Sequence, residues 1–147
     1  MDDARSGPSS AVTRFVSVEL IDVAGTSALG TAELHYDPTD PYAVRATILT
    51  GVSEVTWTFG RDLLIEGTYR PSGDGDVHVS PSVNQDGRAV VLVELHAGGA
   101  MGLVQAGARA VQSFVDAMIE AVRPGTECEH LDVDASLEAL LVAGRGE

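Results

Sequence analysis

Alternation of apolar and polar positions organises most of the chain. From Val12 to Val23, Val16, Val18 and Leu20 alternate with Ser17 and Glu19, the two-residue period of a half-buried strand. Ala24-Gly25-Thr26-Ser27 supplies a turn, after which Ala32, Leu34 and Tyr36 share one face and Thr31, Glu33 and His35 the other. Pro38 and Pro41 remove backbone donors, so strand pairing is expected to pause there. Val44, Ala46 and Ile48 then oppose Arg45 and Thr47. Across the Thr50-Gly51 turn, Val55, Trp57 and Phe59 oppose Glu54, Thr56 and Thr58, and the two runs read as an antiparallel hairpin.

The period breaks between Gly60 and Gly67. Leu63, Leu64 and Ile65 are adjacent, Asp62 comes early and Gly67 follows, the pattern of a short helix stopped by a glycine. Asp74-Gly75 and Asp86-Gly87 bracket another strand. The apolar run Ala89 to Leu95 reads as a strand covered on both faces, and Gly98-Gly99 turns into a weaker strand near Met101 to Val104. Val111, Phe114, Val115, Met118 and Val122 fall on one helical stripe, with Arg109, Gln112, Asp116 and Glu120 opposite. Pro124-Gly125 stops that helix. Asp132 or Asp134 can start a second, carrying Leu137, Leu140 and Leu141. Residues 1–11 are small and polar and read as a disordered extension, leaving residues 12–147 as a single α+β domain of antiparallel sheets.

Charge narrows the partners. There are 22 acids against nine basic residues, all of them arginine, and the net charge is −13. Such a field repels nucleic-acid phosphates and anionic membrane surfaces, so no nucleic acid is expected. The start of the chain lacks the basic and apolar regions of a signal peptide, and no apolar run approaches a membrane span, so no membrane insertion is expected and a reducing cytoplasm is the simpler home. One cysteine, Cys128, allows no internal disulfide.

Candidate chemistry is sparse. His35, His78 and His96 lie on strand faces without a ligand partner at a familiar metal spacing, and Cys128, Glu129 and His130 fall short of the four donors of a structural zinc. Asp132, Asp134 and Glu138 lack the glycine and terminal glutamate of an EF-hand loop. Ser72 to Asp76 is glycine-rich, but its carboxylates and missing lysine make it a turn rather than a phosphate cradle. No catalytic residue, cofactor or metal is expected. Trp57, between Val55 and Phe59, reads as core, with an interface anchor as the other reading. Arg61, Asp62, Arg70 and Asp76 read as ion pairs locking the short helix to the following turn.

Tyr36-Asp37-Pro38, Asp40 to Val44, Phe59 to Leu64 with Arg61-Asp62, Glu66-Gly67, Arg70-Pro71 and Gly73 to Val77 together resemble the SsgA-like sporulation and cell-division proteins of actinomycetes. The resemblance runs from about Val12 to Leu141. It implies a Whirly-like fold of two antiparallel sheets packed crosswise, with a short helix and two C-terminal helices, assembling as a homotrimer. It implies a non-enzymatic adaptor recruited to the septum. Its partners would be the division GTPase FtsZ, other SsgA-like proteins and septal wall machinery. Arg123, Pro124, Gly125, Thr126 and Glu127 resemble the family's PGTE segment and become a candidate partner contact. The rival reading, a single-stranded nucleic-acid binder, rests on fold alone and needs a basic track with interleaved aromatics that this sequence lacks.

Overall fold

The computed structural model describes residues 10–51, 53–97 and 99–130. Eight strands form one antiparallel sheet: β1 (Val12–Asp22), β2 (Ser27–Tyr36), β3 (Ala43–Leu49), β4 (Glu54–Gly60), β5 (Ser72–Asp74), β6 (Val77–Val83), β7 (Ala89–Ala97) and β8 (Ala100–Gly107). Helix α1 (Arg61–Gly67) follows β4 and α2 (Ala108–Ala121) follows β8, before a short 3-10 turn at Glu127–His130. The sheet order is β4-β3-β2-β1-β8-β7-β6-β5.

The two sheets expected from sequence are therefore one continuous sheet. β1 joins its halves, pairing Val16 with Ala32 of β2 along one edge and Leu20 with Val104 of β8 along the other. The sheet curls, so that residues as distant in its order as Trp57 and Phe59 of β4 and Val91 and Val93 of β7 line the same small interior space of about 50 Å³. The proposed second C-terminal helix, with Leu137, Leu140 and Leu141, lies outside the described residues, as does most of the 1–11 extension.

Alternation sets the core. Val16, Val18, Ala32, Leu34, Tyr36, Val44, Ala46 and Ile48 are buried on the inner face, and their polar neighbours look outward. β7 is covered on both faces near its start, where Val90 and Val91 are both buried. β8 runs beyond the four residues read from sequence, because Ala106 and Gly107 continue the pairing with Val91 and Val90. α2 lays its stripe of Val111, Phe114, Val115 and Met118 over β1, β7 and β8. Burying one such side chain contributes roughly 1.5–3 kcal/mol, so the stripe, rather than a side-chain cap at Gly107, holds this helix.

α1 ends differently from the sequence expectation. Gly67 is its last residue and does not take the left-handed conformation of a glycine stop, while Thr68 caps with right-handed helical angles. The glycine is needed for contact: a Cβ there would fall 2.3 Å from Cγ1 of Val79. α1 thus lies directly on β6, bridging the gap between the two ends of the sheet.

Candidate protein-interaction surface

Arg61 begins α1 and is completely buried. Its Nη1 donates to the Tyr36 hydroxyl at 3.0 Å, its Nη2 donates to the Val122 carbonyl at 2.7 Å, and its Nε lies 3.2 Å from Glu127 Oε2. That last approach is an ion contact outside hydrogen-bond geometry. The guanidinium also sits 5.3 Å from the centroid of the Tyr36 ring, within cation–π range. A cation at Val122 is well placed electrostatically, because the carbonyl follows the last turn of α2, where the helix dipole is negative.

The partners of Arg61 each fix a loop. The Tyr36 hydroxyl donates to the Pro41 carbonyl at 2.9 Å, holding the Asp37 to Tyr42 connection, and Asp37 caps that turn by accepting from the Thr39 amide and hydroxyl. Glu127 uses Oε1 to accept from the Gly125 amide at 2.9 Å. Gly125 has φ of 91°, a left-handed turn that glycine adopts without strain, and Thr126 donates from both amide and hydroxyl to the Arg123 carbonyl. The outcome is a hydrogen-bonded loop presenting Arg123, Pro124 and Gly125 to solvent while Glu127 is buried beneath it.

Ionisation follows these contacts. The Glu127 carboxyl is held below its ordinary range, first by its own backbone amide, then by the Gly125 amide and the Arg61 charge, all against the opposing effect of burial. Burial pushes the Tyr36 hydroxyl up, with Arg61 working in the opposite direction. The Thr39 amide and hydroxyl hold Asp37 low.

The four residues read as one ion-pair network do not meet. Arg61 pairs with Glu127, and Arg70 pairs with Glu66 on the protein surface, one helical turn away. Among the described residues the side chains of Asp62 and Asp76 form no ion pair, and both are exposed. Phe59 packs against the core. Trp57 is partly buried, facing the core on one side and an apolar opening on the other. Glu127 and Tyr36 were not legible as partners of Arg61: both stand in recognisable motifs, but no local spacing reports a contact made by folding.

The other polar groups stay dispersed. His35 Nδ1 meets the Thr13 hydroxyl at 2.9 Å, and His96 Nε2 lies 3.3 Å from Glu94 with the His78 ring edge-on beside it. Among the described residues no group of three His, Cys, Asp or Glu side chains could hold a metal, and Cys128 is exposed. No helix among them is long and apolar enough to cross a membrane.

Comparison with known proteins agrees with the motif string. Residues 31–127 match the family model described as the Streptomyces sporulation and cell division protein SsgA. The sporulation-specific cell division protein SsgB of Streptomyces coelicolor is 49% identical over 111 residues, covering 75% of this chain and 80% of that protein. A solved structure from work on SsgB mutations and longitudinal cell division during sporulation of Streptomyces coelicolor superposes with a TM-score of 0.77. Its identity is 40%, over 86% of this chain and 99% of that one. The SsgA-like sporulation-specific cell division protein from Thermobifida fusca gives 0.81 at 30% identity, over 91% and 98%.

Proposed function

Because the chain belongs to the SsgA family of sporulation and cell division proteins, we propose that it is a non-enzymatic adaptor that controls the placement or progress of sporulation septa through protein contacts. It works in the cytoplasm and is recruited to the septum. FtsZ is contacted directly or through another family member, and the septal wall machinery is the further partner class.

The observation that carries this reading is the Arg61–Glu127 contact beneath the Arg123 to Thr126 loop. A buried ion pair is a poor source of net stability, and its best use is to specify one arrangement of the groups around it. Here the arrangement specified is a surface loop, and conserving a loop's shape is what a recognition site requires. Exposed apolar side chains on the outer sheet face, Leu29 at 82% and Phe15 at 65%, support a homo-oligomer, and the reading takes it to be a trimer. It also takes the β1–β4 and β5–β8 halves to lie crosswise, as in Whirly proteins. Repeated loops on such an assembly would bind a polymer by avidity.

The test is time-lapse imaging of a functional fluorescent fusion at native level, with labelled FtsZ in the same sporulating cells. Foci that precede or coincide with FtsZ ladders support site selection. Foci that follow the ladders move the role to wall synthesis or spore separation. A diffuse or nucleoid-bound signal overturns the septal reading.

A further inference from the structure

All four hairpin turns, β1–β2, β3–β4, β5–β6 and β7–β8, lie at one end of the curled sheet. The helices and the remaining connections occupy the other end. At the turn end no other element among the described residues covers the inner face, and Leu20, Ile48, Val55, Trp57 and Leu95 line an open cavity of about 430 Å³. Val55 is 48% exposed, unusual for an inner-face side chain that continues the core. The size falls within the range of clefts that bind ligands or side chains.

The wall formed by Val55 and Trp57 belongs to β4, the edge strand of the sheet. Its sequence, Glu54 to Gly60, carries neither proline nor lysine, two of the usual protections of a free edge. A segment pairing along that edge would direct alternate side chains into the cavity. Charge selects the segment. The turn end holds Asp22, Glu54 and Asp76, and no arginine or lysine occurs in residues 22–28, 49–55, 74–77 or 95–103.

We propose that this open end docks an extended segment of a partner protein, carrying a large apolar side chain flanked by Lys or Arg. The apolar residue fills the cavity against Trp57 and Val55, the backbone pairs along β4, and the basic flanks meet the acidic rim. A second copy fits poorly, since it would set one arginine-free rim against another on chains of net charge −13. Residues 131–147 fit poorly as well: they carry Asp132, Asp134, Glu138 and Glu147 against Arg145 alone. The inference rests on the adaptor reading only in taking the occupant to be a protein.

A displayed library of random peptides, selected on the full-length protein and counter-selected on Val55→Arg, tests the surface directly. Enriched peptides are then titrated against the emission of Trp57, the single tryptophan. The expected result is enrichment of Phe, Leu or Trp beside Lys or Arg, with a saturable emission shift. Binding should weaken at least about tenfold in Val55→Arg and clearly in Val55→Ser, both at this exposed position, and should weaken with salt. No enrichment, enriched peptides without basic residues, or affinity unchanged in both variants overturns the proposal. So does peptide binding gained only on deleting residues 131–147, which makes that segment the occupant. A peptide-free emission change that grows with protein concentration assigns the cavity to a second copy. These outcomes are read on purified protein, so a fusion that failed to reach septa would leave them standing.

Discussion

The guanidinium of Arg61 donates to the carbonyl oxygen of Val122 at 2.7 Å, a bond that spans 61 positions of sequence. It ties the first residue of α1 to the end of α2, and the same side chain carries Glu127 and the loop above it. Arg61→Met keeps much of the volume but leaves a buried carboxylate and a buried carbonyl without their cation. The expected loss in urea unfolding is about 3–5 kcal/mol, against about 1–3 kcal/mol for Glu127→Gln, which preserves shape and an acceptor for the Gly125 amide. In a double-mutant cycle the combined change should cost clearly less than the sum.

Acid and base should loosen the same junction from opposite sides. The folded-state pKa of Glu127 lies below its ordinary 4.5, so its contribution is complete above that pH and is lost as pH falls through the depressed value. Asp37, held below its ordinary 3.8, acts in the same direction at lower pH. The Tyr36 hydroxyl lies above its ordinary 10.0, so its contribution is complete below pH 10.0 and is lost as pH rises through the raised value. Urea midpoints measured across pH should fall below about pH 5 in the wild type and fall less in Glu127→Gln. Absorbance of tyrosinate should place the ionisation of Tyr36 above its ordinary 10.0 in the folded protein, and Tyr36→Phe should remove that late step.

A single methyl group tests how α1 meets the sheet. Gly67→Ala would place Cβ 2.3 Å from Cγ1 and 3.1 Å from the carbonyl oxygen of Val79, so helix or strand must move. A loss of about 1–3 kcal/mol is expected from overpacking. Val79→Gly removes both Cβ and Cγ1, which would lie 2.4 and 2.3 Å from the added methyl, so the double variant should be more stable than the sum of the single changes predicts. Additive losses would show that backbone crowding, rather than the valine side chain, sets the limit.

These contacts separate what sequence could report from what it could not. The strands were legible because Val16, Val18 and Leu34 recur every second residue against water, and α2 because Val111, Phe114, Val115 and Met118 recur on one turn-spaced stripe. Both patterns are local records of burial. Continuity of the sheet was not legible, since it depends on β1 meeting β8, across most of the chain, and alternation says which face is inward but not which strand is adjacent. Arg61 could be recognised as a motif residue, but not as a buried one. Its solvation is replaced by Tyr36 at the end of β2 and by Val122 and Glu127 after α2, segments far from it in sequence, and the nearby acids Asp62 and Asp76 were more obvious partners in the sequence.

The loop from Arg123 to Glu127 should separate folding from recognition. Arg123 and Pro124 are exposed, whereas Glu127 is 7% exposed and fixes the turn from below. Arg123→Glu reverses a surface charge without removing the carbonyl that Thr126 uses, so stability should stay within about 0.5 kcal/mol. If the loop is the partner contact, the same variant should lose its septal foci at normal protein abundance. Glu127→Gln should weaken both folding and localisation, and added stability elsewhere in the chain should restore only the part of localisation that reflects abundance. Septal foci of normal number and timing in Arg123→Glu would move recognition away from this loop, and the apolar mouth beside Trp57 would then be the surface to alter next.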